Sequence, residues 1–195
     1  VDDVLDRWLA EVIDTPGLTA LRDPESARSV LLDDALKAVP LVAAEGGPLV
    51  DVGSGGGTPG IPLAVRLPTL DVTLLEAGRR KCDFLERWTA VVPNLRVVRG
   101  RAEEQPQETY GVATAKALAR PPVAVELCLP LVREGGAVVL WVGASADLDR
   151  VAYVAGLAGG ALEGTAGGLV VVRKVAPTPP GFPRRVGMAR KRPLA

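Results

Sequence analysis

Residues 49–65 read LVDVGSGGGTPGIPLAV, and this stretch decides the fold. A short apolar run ends in a glycine-rich turn, and a helical segment with Pro59 and Pro62 in its early positions follows. That order is a buried strand, a tight turn and a helix. Glycines in such a turn let the main chain approach a ligand with no Cβ in the way. The helix start beside it offers free N–H groups and a positive dipole end, suited to a carboxylate or a phosphate. Gly53, Gly55 and Gly57 form a G-x-G-x-G pattern, whereas the dinucleotide fingerprint wants glycine or alanine where Thr58 stands. The spacing therefore favours S-adenosylmethionine over NAD. Asp51, inside the strand, reads either as an acceptor that orders the loop or as a water-mediated contact to the amino acid part of the ligand.

The chain downstream repeats the same texture. Short apolar runs near 71–76, 95–99, 111–116 and 136–142 alternate with helical stretches, the pattern of parallel βαβ units in a doubly wound α/β sheet. Glu76 ends the run VTLLEAG, at about the 20-residue separation from the glycine turn where a carboxylate can accept ribose hydroxyls. RGRAEEQPQ follows the third strand, and Ala102 and Glu103 are its candidates for the adenine edge. Lys116, in VATAKALARPP, stands at the carboxyl end of the fourth strand, where ligands sit in open α/β sheets. A last pair of strands near 160–174 is too closely spaced for a helical crossover, so Leu169–Val172 is expected to run antiparallel at the sheet edge.

Upstream, Val4, Leu5, Trp8, Leu9 and Val12 recur at helical spacing, and Asp23 before Pro24 reads as the cap of a second helix reaching about Val39. The expected organisation is a helical extension over 1–47, a catalytic domain over 48–176 and a basic Pro/Arg-rich tail over 177–195. Such a tail has too much Pro and Gly for regular structure. With 195 residues, 48% of them hydrophobic, the chain suits one domain. Lys and Arg (23) balance Asp and Glu (23), so any basic surface must be local. Arg184, Arg185, Arg190, Lys191 and Arg192 in the tail, with Arg79, Arg80 and Lys81, are the candidates for such a surface. No histidine is present, which removes the commonest general base and metal ligand, and no metal site is expected. The acidic, amphipathic start VDDVLDRWLA and the absence of a long apolar run lead to the expectation of a soluble, cytoplasmic protein without membrane contact, and a monomer is expected.

Taken together, GLTALRDPESARSVLLDDAL, DVGSGGGTPGIPLAV, RRKCDFL, RAEE and LVVVRK resemble the glucose-inhibited division protein B family of bacterial 16S rRNA guanine-N7 methyltransferases. The PGIP extension is the most specific part, because a generic glycine turn does not have it. The resemblance implies a Rossmann-like class I methyltransferase fold, S-adenosylmethionine as cofactor, and ribosomal RNA or the small ribosomal subunit as partner, which makes the basic clusters of the tail and of Arg79–Lys81 the candidate RNA contacts. It places Gly53 and Thr58 in the cofactor loop, Glu76 on the ribose side, and Ala102 and Glu103 on the adenine side. Lys116 falls near both cofactor and substrate as the catalytic candidate. In two places the chain departs from the family pattern: Thr58 replaces a bulky apolar residue, and Lys116 stands where the family has Arg. A histidine common in the N-terminal segment is also absent, with Ser29 and Val30 nearby.

Guanine N7 carries a lone pair and no proton, so its methylation requires alignment and not a general base. A route through a cysteine thiolate is disfavoured, since Cys82 and Cys128 both lie in helical stretches. Two other readings fit the same residues: a small-molecule methyltransferase, and a non-catalytic S-adenosylmethionine-binding homologue.

Overall fold

A computed structural model describes residues 2–195 and contains a seven-stranded sheet of order β3-β2-β1-β4-β5-β7-β6. The strands are β1 (Leu49–Val52), β2 (Val72–Glu76), β3 (Leu95–Arg99), β4 (Tyr110–Ala115), β5 (Val132–Trp141), β6 (Gly160–Ala166) and β7 (Leu169–Lys174). Pairings among β1 to β5 are parallel, and β7 runs antiparallel to both of its neighbours. The expected antiparallel strand is thus present, but it is not at the edge. It lies between β5 and β6. The reason is compositional: Leu169–Val172 is buried throughout, whereas the glycine- and threonine-containing β6 is mostly exposed and tolerates the edge.

Alternation along the strands sorts the core into two layers. Val50, Val52, Ala113, Ala115, Val138, Leu140, Val170 and Val172 face α7 (Pro121–Cys128), α8 (Leu148–Leu157) and Ala189 near the C-terminus. Leu49, Val72, Leu74, Val112, Val139 and Leu169 face the N-terminal helices together with α5 (Gly60–Arg66) and α6 (Arg79–Thr89). Those N-terminal helices are α1 (Asp2–Asp14), α2 (Pro24–Ala27), α3 (Asp34–Leu36) and α4 (Val39–Glu45). Leu5, Trp8, Leu9 and Val12 of α1 are buried in the layer that holds α5, so the helical segment shares the sheet's own core.

Asp23 caps α2 by accepting the Ser26 N–H at 2.8 Å, with Pro24 in the first turn. Between α2 and α3 the helix widens into a π turn over Arg28–Asp33, which the periodicity did not foreshadow. The C-terminal segment departs from expectation too. It holds a short helix, α9 (Met188–Lys191), and folds back so that Ala189 is buried and Phe182 and Leu194 pack against the core. Among the described residues no helix is long and apolar enough to cross a membrane.

Candidate functional site

At the carboxyl ends of β1, β2 and β4 the structure opens a cavity of about 320 Å³, a volume within the range of small-molecule sites. Val52, Leu75, Ala102, Leu118 and Leu127 give it apolar walls, and Glu76, Glu103, Lys81, Arg101 and Arg190 give it charge. Glu76 is the best-defined polar group there. Its Oε2 accepts the Gly55 N–H at 3.0 Å and its Oε1 accepts the Gly78 N–H at 2.7 Å. An ionised carboxylate has roughly four acceptor positions, so two remain for a ligand. Glu76 therefore locks the glycine turn to the end of β2 and still presents oxygen to the cavity. Apolar walls for a flat ring beside a carboxylate for vicinal hydroxyls fit the adenosyl end of S-adenosylmethionine.

Of the residues singled out in the sequence as cofactor contacts, Gly53, Glu76, Ala102 and Glu103 line this cavity, while Gly55 is joined to it through its N–H on Glu76. Asp51, Gly57, Thr58 and Lys116 do not; each is engaged elsewhere. Asp51 is buried on the α5 side of the sheet, where Oδ2 accepts the Gly60 N–H at 3.2 Å and Oδ1 accepts the Thr114 hydroxyl at 3.1 Å. Thr114 is its direct partner across β1 and β4. Burial pushes the Asp51 carboxyl up to about 7, against the hydrogen bonds from Gly60 and Thr114 that favour its charged form. Of its two sequence readings, the loop-ordering acceptor describes this geometry. The PGIP extension gains a physical reason here, because a Cβ on Gly60 would lie 2.3 Å from Leu74 Cδ2 and 2.9 Å from Asp51 Oδ2.

Gly57, at φ +100°, turns toward the N-terminal layer, and a Cβ there would meet Ile61 Cδ1 at 2.4 Å. Next to it the Gly56 carbonyl accepts the Trp8 indole N–H at 2.9 Å. The Thr58 hydroxyl donates to the Leu31 carbonyl of the π turn at 2.6 Å. One side of the glycine loop thus faces the cavity, and the other side is bonded to the N-terminal helices. Lys116 reaches the same helices: its Nζ lies 2.6 Å from Asp34 Oδ2. Two thiols can be set aside as nucleophiles. Cys128 is fully buried and burial pushes its thiol well up, while Cys82 is buried with its Sγ donating to the Glu76 carbonyl at 3.3 Å.

Arg184 of the C-terminal segment forks onto the buried Glu126, whereas Arg185, Lys191 and Arg192 are exposed and have no carboxylate partner among the described residues. Sequence reasoning missed Leu118, Leu127 and Gly187 as cavity walls and Asp34 as the partner of Lys116. Leu118 alone had a signal, since it follows the fourth strand at the ligand edge.

A family model described as rRNA small subunit methyltransferase G matches residues 5–152. The ribosomal RNA small subunit methyltransferase G of Symbiobacterium thermophilum is 36% identical, covering 91% of this chain and 82% of that one. Its counterpart from Thermotoga neapolitana is 37% identical, covering 96% of this chain and 89% of the relative. Among solved structures, a predicted O-methyltransferase of Agrobacterium tumefaciens superposes with a TM-score of 0.56 at 19% identity, over 72% of this chain and 79% of its own.

Proposed function

This chain belongs to the rRNA small subunit methyltransferase G family, and we propose that it methylates guanine N7 in 16S ribosomal RNA, using S-adenosylmethionine, as a cytoplasmic monomer. The observation that carries the cofactor assignment is Glu76. It is fixed by the amides of Gly55 and Gly78 and lines a cavity that Ala102 and Glu103 line as well.

When bound, the cofactor supplies an electrophilic methyl group on a sulfonium. Everything else falls to the protein's own side chains. Glu76 would orient the ribose, Leu75, Leu118 and Leu127 would exclude water from the adenine ring, and Gly53 and the neighbouring turn would receive the amino acid end. Because the substrate nitrogen has no proton to lose, the absence of histidine costs the reaction nothing, and its rate depends on alignment. Lys116, beside the N-terminal layer at the end of β4, would border the incoming base. Its pairing with Asp34 holds the ammonium in one place.

RNA affinity needs local positive charge in a neutral chain. Arg79, Arg80, Lys81, Arg101, Arg185, Lys191 and Arg192 have no salt-bridge partner among the described residues, and Lys81 and Arg101 line the cavity itself. Many other cations are spent on internal pairs, such as Arg28 with Asp6, Arg66 with Asp2 and Arg173 with Glu45. The seven residues named first are the proposed phosphate-binding rim.

The deciding experiment is calorimetric titration with S-adenosylhomocysteine and with NAD, followed by radiolabelled methyl transfer to unmodified 16S rRNA and to small subunits. Binding of S-adenosylhomocysteine with labelling of RNA is expected. Binding without transfer would instead make the chain a non-catalytic module, and binding of NAD alone would refute the assignment of the glycine loop.

A further inference from the structure

The segment after β7 takes part in the cofactor cavity, although its composition suggests only a basic tail. Gly187 and Arg190 line the cavity directly. The Gly187 N–H donates to Glu103 Oε1 at 2.9 Å, and Arg190 Nη2 donates to the Leu118 carbonyl at 2.8 Å. Glu103 belongs to the turn after β3 and Leu118 to the loop after β4, so one short stretch of chain ties together the two segments that form the adenosyl end of the cavity. Gly187 adopts φ +78°, the left-handed conformation in which glycine is unstrained and which aims its amide at Glu103.

The stretch is itself anchored. Arg184 Nε and Nη2 lie 2.5 and 2.7 Å from the two oxygens of Glu126, which is 3% exposed on the buried helix α7. The same guanidinium donates through Nη1 to the Arg192 carbonyl at 2.9 Å, closing residues 184–192 into a loop held at both ends. Ala189 is buried against the core between those ends. A planar fork that satisfies a buried carboxylate and a carbonyl at once is a task for Arg, not Lys.

We infer that residues 184–192 form a strap that positions the adenosyl wall of the cofactor cavity, with Arg190 serving cofactor affinity through Leu118 and not RNA affinity through phosphate. This inference rests on the S-adenosylmethionine reading of the cavity. It divides the basic residues of the segment into two classes: Arg184 and Arg190 hold the strap, while Arg185, Lys191 and Arg192 remain for the RNA. It also means that deleting the segment would damage both binding events together, so single substitutions are needed to separate them.

The test is calorimetric titration of S-adenosylhomocysteine into the full chain without RNA. A positioning hydrogen bond of this kind is worth up to about tenfold in affinity. Arg190→Ala is expected to weaken binding by about that factor, with an unchanged urea midpoint, and Arg190→Lys to recover part of the loss. Lys191→Ala should leave the same dissociation constant where it was. In the wild-type chain, hydrogen exchange at 184–192 should slow when the ligand saturates. The strap is refuted if Arg190→Ala binds as tightly as wild type, or if exchange at 184–192 is the same with and without ligand. Failure of the wild-type chain itself to bind S-adenosylhomocysteine would overturn the cofactor reading and the strap together, and is distinguished by that.

Discussion

Lys116 and Asp34, 82 residues apart in the chain, meet at 2.6 Å where the N-terminal helices touch the carboxyl end of β4. Their side chains are 13% and 25% exposed, so solvent screens the pair only in part. Asp34 also accepts from Lys37, and its carbonyl accepts the Trp141 indole N–H at 2.9 Å. The helical layer is therefore coupled by polar contacts to the edge of the sheet where the substrate is proposed to arrive.

Removing Asp34 leaves Lys116 largely buried and uncompensated, whereas Asp34 would keep Lys37 if Lys116 were removed. Asp34→Ala is expected to cost about 1–3 kcal/mol in urea denaturation and to lower methyl transfer, since Lys116 loses its anchor. Burial pushes the Asp34 carboxyl up, but the hydrogen bonds and charges of Lys116 and Lys37 outweigh it and hold the group below its ordinary value. The pair's contribution is accordingly present above the usual carboxylate range and fades as pH falls through the depressed value. An Asp34→Ala protein with wild-type stability and activity would show that the contact does neither job.

Asp51 predicts the opposite slope. Its carboxyl is raised from 3.8 to about 7, so the folded chain holds a proton that the unfolded chain has released. Stability from this group is fully present below its unfolded value and is lost as pH rises to about 7, by up to about 4 kcal/mol. Asp51→Asn should flatten the stability profile over that window and be no less stable than wild type at alkaline pH. Identical profiles for the two proteins would place the Asp51 titration in the ordinary carboxylate range.

Two glycines of the same loop should respond differently to alanine. A Cβ on Gly55 finds open space, with the Gly53 carbonyl nearest at 3.8 Å, and its φ of +57° lies in the left-handed region that alanine enters at a cost of about 1–2 kcal/mol. On Gly57 the added atom meets Ile61 at 2.4 Å and the Trp8 indole nitrogen at 3.2 Å. Thermal unfolding should show Gly57→Ala to be the more destabilising by about 1–3 kcal/mol, the range for overpacking. Equal midpoints would mean that the N-terminal helices yield freely around the loop.

Basic residues near the C-terminus should divide by partner. Arg184→Met strands the buried Glu126 and is expected to cost about 3–5 kcal/mol of stability. Lys191→Ala and Arg192→Ala should leave stability nearly unchanged, while each reduces the salt slope of RNA binding by about one. A filter-binding salt series together with melting curves checks both halves. An unchanged salt slope in the Lys191 and Arg192 variants would remove them from the RNA interface.

The strands were legible because their signals are local. LVDV, VTLLE and LVVV are apolar runs broken by Gly or acidic residues, and the alternation that separates Leu49 and Asp51 from Val50 and Val52 needs no knowledge of the rest of the chain. The glycine turn and Glu76 were equally legible, since consecutive parallel strands place those residues side by side at one sheet edge. Even the interior place of β7 had a readable sign in the contrast between LVVV and GALEGTA, which the close spacing of the two strands overshadowed.

By itself, then, the sequence determined the α/β layering, the mostly parallel sheet and the edge at which the cavity opens, because burial periodicity and turn chemistry act over a few residues. Tertiary structure alone decided what the polar side chains do there. Thr58 turns to Leu31, Lys116 to Asp34, Arg184 to Glu126 and Arg190 to Leu118, across separations of 27 to 82 residues. A hydrogen bond depends on direction and distance in three dimensions, and each of these donors takes the acceptor that folding brings within reach. No pattern along the chain records that choice, and so the attachment of Arg184 to Glu126 and of Arg190 to Leu118 emerged only once the chain was folded.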